Sequence, residues 1–456
     1  MQRPNFLLLT IDTLRADVLG CYGYPRSLTP NLDRLAATGL RFTQAITGGS
    51  WTQAAFPVLL TSSSAGLYGG CLGRLAPARP SPVEALAADG YATGGFSTNP
   101  HLSKATGYDR GFYYFDDLVP NEADPLLSRV KGGQRLLRHP LTHRLSALLG
   151  KRLRPAQVYN SAEEVTDSAC RWLEQVESPF FGWIHYMDVH WPYYLEKRLE
   201  HPGDIAQAWR DRTIMHERAN FTGKKRITPG QREHFVELYQ KALRYLDDQI
   251  GRLLEHVKAL GHDSNTVIIA VSDHGEEFMD HGRWGHWESN LYDEIVKVPL
   301  IIRMPRQAEG EVIERQVRLL DLMPTILDLG DCPQPPGVEG TSLTPLWLSI
   351  GSPYEAAESI SEMRRPPWHR IAVRTESFKY IWDNKRPDQP ELYDLRHDPG
   401  ETENVLEEHR EVADRLQACV DVHLQRARET EFAGEGMELE LDKETVERLR
   451  ALGYIE

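Results

Sequence analysis

Short apolar runs alternate with helical patterns through the first 330 residues of the chain. The runs at residues 6–11 and 266–271 are continuous, as expected of strands that are buried on both faces of a sheet. Residues 230–260 place an apolar side chain every three or four positions, which predicts a long amphipathic helix. A further strand is predicted at residues 180–187, and shorter helices at 30–39 and 82–90. This alternation predicts an α/β fold in which helices cover a sheet.

The pattern changes near residue 345. Residues 380–382 and 391–393 are typical of antiparallel strands around a turn, and residues 404–423 predict a helix. We therefore predict a large α/β domain, a smaller subdomain with an antiparallel sheet and a helix, and a charged tail, at residues 1–345, 346–430 and 431–456.

Composition narrows the class of protein. The chain has 456 residues, of which 41% are hydrophobic and 26% are charged, as in soluble globular proteins. The net charge of −14 argues against nucleic acid as the main partner, because phosphate binding needs a basic surface. Five cysteines without CxxC spacing predict reduced thiols. No stretch approaches the roughly 18 apolar residues of a membrane span. Together these features predict a cytoplasmic protein.

One segment departs from the acidic average. Between Arg129 and Arg154 there are eight Lys or Arg residues and no acidic residue. A solvated insertion is the first interpretation, because runs of charge usually face water. The alternative is a lid that attracts anions, or an arm that contacts a neighbouring subunit. The charged tail could also reach a second copy, so a homo-oligomer remains open.

Acidic side chains follow two of the predicted strands directly. Asp12 comes after the first strand, and Asp273-His274 comes after residues 266–271. Because ligands bind at the carboxyl ends of parallel strands, these side chains can meet although they are distant in sequence. Carboxylates with an imidazole suit a divalent cation, which would neutralise an anionic substrate. A single Asp after a strand is also a common turn or cap residue.

Several stretches resemble sulfatases and occur in the order that is usual in that family. They span nearly the whole chain and are RPNFLLLTIDTLRADVLGCYG, SDHGEEFMDHGRWGH, LYDEIVKVPLII, DLMPTILDLGD, ELYDLRHDPGETENV and LRALGYIE. The resemblance implies an alkaline-phosphatase-like fold, with a mixed and mostly parallel sheet between helices and a small α+β subdomain at the C-terminus. It also implies a divalent metal beneath the nucleophile.

The nucleophile position departs from the sulfatase pattern. Sulfatases carry a C/S-x-P-S-R motif whose Cys or Ser becomes formylglycine, and counting back from Leu59-Leu60-Thr61 places that position at Thr52. Thr cannot be converted, and Phe56 stands where the motif arginine belongs. Formylglycine is therefore excluded here. An unmodified Thr resembles the phosphatase and phosphodiesterase branches of the superfamily, and it needs activation by a metal or a helix N-terminus. The alternative role for Thr52 is a helix cap.

The metal ligands depart from the pattern as well. Thr13 replaces the second of two adjacent aspartates, and Asp273-His274 replaces the usual Asp-Asn. Asp-His resembles the phosphonate and phosphodiester hydrolase branch. An imidazole ligand shifts the preference from calcium toward manganese or zinc. The resemblance therefore implies one divalent ion, held by Asp12, Asp273, His274 and Thr52.

The remaining candidates come from the same resemblance. His190 matches the position that assists the leaving group, and His286 matches a residue that binds an anionic oxygen, so both are assigned catalytic roles. Four further residues are assigned to substrate binding, namely Asn99, His101, Asp188 and His281. For Asn99 an Asn-Pro turn is an equal alternative. Asp188 and His281 could instead orient a neighbouring residue. Arg15 is either a structural ion-pair partner or a substrate contact.

These expectations define a metal-dependent hydrolase of a sulfate, phosphate or phosphonate ester. A covalent intermediate on Thr52 is expected, with phosphate or phosphonate esters favoured over sulfate esters. The substrate would be a small anionic ester. Three alternatives stay open, namely a sulfatase without formylglycine, a phospho- or sulfotransferase, and a catalytically silent relative that binds metal.

Overall fold

The computed structural model of the protein describes residues 3–118, 159–194, 202–219, 227–286, 290–348, 354 and 356–431. The basic segment 129–154 and residues 432–456 of the predicted tail lie outside this part of the chain. Within the described ranges, no helix is both long enough and apolar enough to cross a bilayer.

The N-terminal part of the described chain contains ten strands. They are β1 (Asn5–Ile11), β2 (Leu40–Ile46), β3 (Ala92–Ser97), β4 (Tyr114–Asp117), β5 (Phe180–Tyr186), β6 (Thr266–Ser272), β7 (Glu277–Phe278), β8 (Trp284–Gly285), β9 (Lys297–Arg303) and β10 (Glu311–Arg318). β7 and β8 form a hairpin, and the other eight form one sheet in the order β10-β2-β9-β6-β1-β5-β3-β4. Only β9 runs against its neighbours β2 and β6. The predicted mixed, mostly parallel sheet is therefore confirmed.

Strand β1 lies near the middle of the sheet and is buried along its whole length. Leu7, Leu9 and Ile11 contribute to the core on one face, and Phe6 and Leu8 contribute to the core on the other. Alternate side chains of a strand point to opposite faces, so an unbroken apolar run fits a strand that helices cover on both sides.

Ten α-helices lie within the described residues. They are α1 (Pro30–Ala37), α2 (Thr52–Thr61), α3 (Pro82–Ala88), α4 (Ala162–Leu173), α5 (Pro202–Ala219), α6 (Pro229–Ala259), α7 (Asp293–Val296), α8 (Leu322–Leu329), α9 (Pro345–Leu348) and α10 (Arg410–Glu429). Apolar residues of α1, α4 and α6 cover one face of the sheet, and those of α2, α3 and α8 cover the other. α6 agrees with the helix predicted at residues 230–260, and its start is capped by the side chain of Thr228.

The C-terminal part is a four-stranded antiparallel sheet with one helix. Its strands, in sheet order, are β11 (Ser359–Arg365), β12 (Trp368–Arg374), β13 (Phe378–Asp383) and β14 (Glu391–Asp394). α10 covers one face of this sheet. The predicted start of this helix at residue 404 was wrong, because the helix begins at Arg410. Asn404 Oδ1 accepts a hydrogen bond from Leu392 N, and Val405 N donates to Leu392 O, so this stretch follows the edge of β14 before α10 begins.

A buried group of charges joins the two parts, and we call it the joint cluster: Asp293, Arg374, Lys379 and Glu401. Lys379 Nζ lies 2.6 Å from Asp293 Oδ1 and 2.7 Å from Glu401 Oε1, and Arg374 Nη2 lies 3.0 Å from Asp293 Oδ2. Each charge in this cluster therefore has an opposite charge at 3.0 Å or less.

Strand β11 also contacts the loop that precedes α2. Glu362 N donates to Gly48 O at 3.0 Å, and Ser361 Oγ donates to Thr47 O at 2.6 Å. The C-terminal sheet thus contributes hydrogen bonds to the segment that leads into Thr52.

Candidate active site

Two neighbouring strand ends bring the predicted ligands together. β1 pairs in parallel with β6, with Ile11 opposite Ser272, so Asp12 and Asp273 leave the sheet side by side. His274 Nε2 lies 3.6 Å from Asp12 Oδ1 and 3.5 Å from Asp273 Oδ2. One ligand atom from each of the three residues lies within 4.8 Å of the others. We call Asp12, Asp273 and His274 the ligand cluster.

The chemistry of the ligand cluster fits a divalent cation. Asp12 Oδ1, Asp273 Oδ2 and His274 Nε2 are buried and have no hydrogen-bond partner among the described residues. A buried polar atom without a partner costs about 1–3 kcal/mol, so three such atoms converging on one point need an explanation. His274 Nδ1 faces Gly275 O at 2.9 Å, which leaves the lone pair of the neutral ring on Nε2. Two carboxylate oxygens and this nitrogen suit a divalent cation.

Burial controls the protonation of the ligand cluster. Burial and the nearby carboxylate of Asp12 raise the pKa of Asp273 well above its ordinary value. Burial alone would also raise the pKa of Asp12, but the surrounding imidazoles of His190, His185 and His274 hold it below its usual range. Burial lowers the pKa of His274 to about 3, so its imidazole is neutral at pH 7 and can act as a ligand. The two carboxylates repel each other where no cation separates them.

Thr52 lies at the start of α2 and points into the ligand cluster. It is fully buried, and its Oγ1 donates to Asp12 Oδ2 at 3.3 Å. Trp51, and not Thr52, is the N-cap residue of this helix. The Thr52 hydroxyl therefore lies beside a ligand carboxylate at a helix N-terminus, where the helix dipole favours negative charge.

His190 and His286 lie next to the ligand cluster. The ring centroid of His286 lies 4.6 Å from that of His274 and 5.1 Å from that of His190. His190 Nδ1 faces Trp191 O at 2.9 Å. Burial lowers the pKa of both rings, to about 4 for His286. Both imidazoles are therefore mainly neutral near pH 7.

Two of the four residues assigned to substrate binding lie beside this cluster. Asn99 Nδ2 donates to Asp12 Oδ2 at 3.2 Å, and Asn99 Oδ1 accepts from His101 N at 2.9 Å. Burial lowers the pKa of His101 to about 3, and the charge of Asp12 opposes this shift. These contacts connect both residues to the ligand cluster.

The structure gives Asp188 and His281 other contacts. Asp188 Oδ1 accepts from Ala162 N at 3.0 Å, at the first residue of α4. His281 Nδ1 lies 2.8 Å from Glu294 Oε1, and its ring stacks on Tyr292 with centroids 3.7 Å apart. Asp188 therefore stabilises a helix start, and His281 stabilises the loop around α7; their assignment to substrate binding stays a prediction.

The sequence left two roles open for Arg15, a structural ion pair or a substrate contact, and the structure shows the ion pair. Its guanidinium pairs with Asp17 at 2.6 Å and with Asp280 at 2.7 Å, and it lies over the ring of Phe278. These contacts hold the loop after β6 against the end of β1.

Sequence reasoning missed two buried residues of the site. His185 Nε2 lies 3.4 Å from Asp12 Oδ2. Glu276 Oε1 lies 3.0 Å from His286 Nδ1, and its Oε2 accepts from the hydroxyl of Tyr193 at 2.9 Å. Burial raises the pKa of Glu276 to about 7. The available signal for His185 was a polar residue inside an otherwise apolar strand.

A mostly parallel sheet with buried carboxylates and an imidazole at its strand ends is the arrangement expected of the alkaline-phosphatase-like superfamily of metal-dependent hydrolases. Residues 4–332 match the model of the Sulfatase family, and the chain belongs to that family. Residues 282–429 match the model described as N-sulphoglucosamine sulphohydrolase, C-terminal. Members of this family are metal-dependent ester hydrolases, so this protein is an ester hydrolase as well.

Individual relatives agree with this assignment. The chain is 28% identical to the uncharacterized sulfatase YidJ of Escherichia coli, over 90% of this chain and 84% of that protein. It is also 28% identical to arylsulfatase A of Homo sapiens, over 88% and 83% of the two chains. The fold is similar to that of the phosphonate monoester hydrolase of Agrobacterium radiobacter, with a TM-score of 0.69, 22% identity, and coverage of 93% and 96%.

Proposed function

We propose that this sulfatase-family protein hydrolyses a phosphate or phosphonate ester through a covalent intermediate on Thr52. The observation that carries the proposal is the position of Thr52 Oγ1, which lies 3.3 Å from Asp12 Oδ2 within the ligand cluster. A hydroxyl that is buried at a helix N-terminus and beside ligand carboxylates can be activated as a nucleophile.

The choice of phosphorus over sulfur follows from the residue at position 52. Thr52 cannot become formylglycine, so an intermediate on it has no aldehyde hydrate through which to expel sulfate by elimination. Water must instead break the bond between the threonine oxygen and the central atom. A phosphate or phosphonate ester of Thr52 is suited to this second displacement. The similarity of fold to a phosphonate monoester hydrolase supports the same choice.

A divalent cation held by Asp12, Asp273, His274 and Thr52 would polarise the substrate oxygens and lower the pKa of the threonine hydroxyl. The donor chemistry of the ligand cluster favours manganese or zinc over calcium. Without formylglycine, this cation is the only cofactor that the proposal requires.

The protein's own residues supply the proton transfers. Thr52 Oγ1 attacks phosphorus, and the bond from phosphorus to the leaving oxygen breaks. His190 directs Nδ1–H at Trp191 O, so its Nε2 carries the lone pair and would take the proton that the Thr52 hydroxyl releases and pass it to the leaving oxygen. The pKa of Glu276 is raised to about 7, so its carboxyl group can donate a proton to His286 Nδ1; the neutral imidazole would then present Nε2–H to a non-bridging oxygen. Asn99 and His101 would add contacts to the substrate from the adjoining loop.

The proposal is tested with three aryl esters, each assayed with Mn²⁺, Zn²⁺ and Ca²⁺. They are bis(4-nitrophenyl) phosphate, 4-nitrophenyl phenylphosphonate and 4-nitrophenyl sulfate. Thr52→Ala should lower kcat at least about a thousandfold, since it removes the nucleophile, while Thr52→Ser should keep part of the activity. Thr61→Ala is the matched control, because Thr61 lies in the same helix and donates to Pro57 O.

Mass spectrometry of quenched reactions should locate the phosphoryl or phosphonyl group on the peptide that contains Thr52. Turnover that survives in Thr52→Ala would refute the nucleophile. Protein that binds metal but hydrolyses none of the three esters would support the catalytically silent alternative.

Sulfate ester hydrolysis is the second candidate, and the match to the sulfatase family favours it. It predicts a kcat/KM for 4-nitrophenyl sulfate that exceeds the values for both phosphorus esters, with the same dependence on Thr52. Transfer to an added alcohol in place of water would instead indicate a transferase.

A further inference from the structure

His185 lies beside the ligand cluster, but its hydrogen-bond environment differs from that of the other histidines there. His274 Nδ1 faces Gly275 O, and His190 Nδ1 faces Trp191 O, both at 2.9 Å. Because a carbonyl oxygen only accepts hydrogen bonds, Nδ1 of each neutral ring carries the proton and Nε2 carries the lone pair.

Nδ1 of His185 faces a hydroxyl group instead of a carbonyl. Thr10 Oγ1 lies 3.0 Å from this nitrogen and accepts a hydrogen bond from Trp183 Nε1 at 2.9 Å. The indole N–H can only donate, so the hydroxyl hydrogen of Thr10 is the one available to His185. In this arrangement Nδ1 of His185 is the acceptor and the proton of the neutral ring lies on Nε2, and the surroundings of Nε2 favour the same tautomer.

The proton on Nε2 lies on the side of Asp12. His185 Nε2 lies 3.4 Å from Asp12 Oδ2, a long electrostatic contact, and it forms no hydrogen bond with the described residues. The other tautomer would turn a nitrogen lone pair toward a carboxylate oxygen in a buried site, which is unfavourable. Thr52 and Asn99 donate to this same Oδ2, at 3.3 and 3.2 Å.

The two oxygens of Asp12 are thus unequal. Donors surround Oδ2, whereas Oδ1 has no partner within the described ranges and lies 3.6 Å from His274 Nε2. Thr10 and His185 are opposite each other in the pairing of β1 with β5, in the middle of the sheet. The donor on Oδ2 is therefore held by two buried strands rather than by a loop.

We infer that His185 is a positioning residue of the metal centre: Trp183 and Thr10 favour the tautomer in which Nε2–H faces Asp12 Oδ2, and the attraction between that N–H and Oδ2 leaves Oδ1 for a divalent cation. The inference rests on the proposed function only in requiring a cation at this site. Hydrogen bonds that orient ligands in this way typically change metal affinity tenfold to a hundredfold.

The test is a Mn²⁺ titration of metal-free protein without substrate. Thr10→Val keeps the shape but removes the hydroxyl, and His185→Leu removes the imidazole. Both should weaken Mn²⁺ binding roughly tenfold to a hundredfold. Thr10→Ser and His185→Gln are the matched controls, because serine keeps the hydroxyl and the glutamine amide keeps an N–H donor near the position of Nε2. Both should bind Mn²⁺ within about threefold of the wild-type affinity.

Several results would overturn the inference. A Thr10→Val variant with the same Kd for Mn²⁺ as the wild type would refute the role, because it would show that the tautomer of His185 does not affect metal binding. A His185→Gln variant that binds Mn²⁺ as weakly as His185→Leu would also refute the role. So would variants whose Tm without metal is lowered while their Mn²⁺ affinity is unchanged. If His185→Leu fails to fold, the Thr10 pair decides. Wild-type protein that binds neither Mn²⁺, Zn²⁺ nor Ca²⁺ also overturns it.

Failure of the proposed function gives a different result from failure of this inference. Activity retained in Thr52→Ala would refute the nucleophile but would leave the order of Mn²⁺ affinities readable, because those titrations contain no substrate.

Discussion

The ligand cluster and the joint cluster are both buried, but their charges are balanced in different ways. In the joint cluster two cations face two carboxylates, and Lys379 Nζ alone lies within 2.7 Å of both Asp293 and Glu401. In the ligand cluster the carboxylates of Asp12 and Asp273 lie beside imidazoles that burial keeps neutral. The first group is balanced by its own side chains, whereas the second needs a positive charge from outside the chain.

This difference distinguishes buried charges that stabilise the fold from buried charges that serve a binding or catalytic site. The joint cluster needs no bound ligand, because its ion pairs offset the free-energy cost of burying its charged side chains. The ligand cluster keeps Asp12 Oδ1, Asp273 Oδ2 and His274 Nε2 without a hydrogen-bond partner among the described residues and has no cation of its own beside its two carboxylates, an arrangement typical of a binding or catalytic site. Removing a charge should therefore have opposite effects on stability in the two places.

The largest effect on stability is expected in the joint cluster. Lys379→Met leaves two buried carboxylates with one fewer cation and should lower the free energy of unfolding by about 3–5 kcal/mol, measured by urea denaturation. Lys241→Met is the control, because Lys241 forms an exposed pair with Glu237 on α6 and should change little. Equal stability of the two variants would contradict the role assigned to the joint cluster.

Metal binding should give the next largest change. Mn²⁺ at about a hundred times its Kd should stabilise the wild-type protein by about 2.7 kcal/mol, seen as a rise in Tm that a chelator reverses. Asp273→Asn removes a ligand charge and should abolish most of this rise. Persistence of the full rise in that variant would place the cation elsewhere.

Without metal, Asp273→Asn should be more stable than the wild-type protein at pH 7, by about 1 kcal/mol. The folded-state pKa of Asp273 is raised above the ordinary 3.8, so wild-type stability falls as the pH rises above that value, whereas asparagine does not titrate. The matched variant Asp293→Asn should be destabilised, because ion pairs hold the pKa of Asp293 well below 3.8 against the opposing effect of burial. The free energy of unfolding of both variants is measured at pH 5 and pH 7. A change of the same sign in the two variants would refute the comparison.

The smallest effect is expected at the loop between the two clusters. Burial would lower the pKa of His281, but its hydrogen bond to Glu294 raises it from 6.5 to about 9. The stability from this contact is therefore present in full below pH 6.5 and is lost as the pH rises through 9. His281→Gln should be less stable than the wild type by about 1 kcal/mol at low pH, because solvent screens this partly exposed pair, and the difference should vanish near pH 10. A difference that does not depend on pH would indicate packing alone.

The strand pattern predicted the central sheet and the ligand cluster together. Unbroken apolar runs identified β1 and β6, and the strand-end rule then placed Asp12 beside Asp273. His185 was missed because a polar residue inside a strand has the same local pattern as one that is satisfied in the core, and only the pairing with β1 places it opposite Thr10.

In the loop after β6 the sequence pattern alone does not predict which histidine belongs to the site. His281 and His286 lie in one stretch that is rich in ligand-type residues, so spacing alone could not separate their roles. The hairpin of β7 and β8 carries His281 away from the sheet and returns the chain to His286. That path depends on pairing between Glu277 and Gly285, which no local signal in the sequence encodes.

The hydrogen bonds from β11 to Thr47 and Gly48 make the C-terminal sheet part of the scaffold beneath the nucleophile segment. A chimaera with the C-terminal sheet of a relative would have different contacts with the segment before residue 52, even if every active-site side chain were retained. Recombination or truncation near residue 345 would therefore change or remove both hydrogen bonds, and we expect it to lower activity as well as stability.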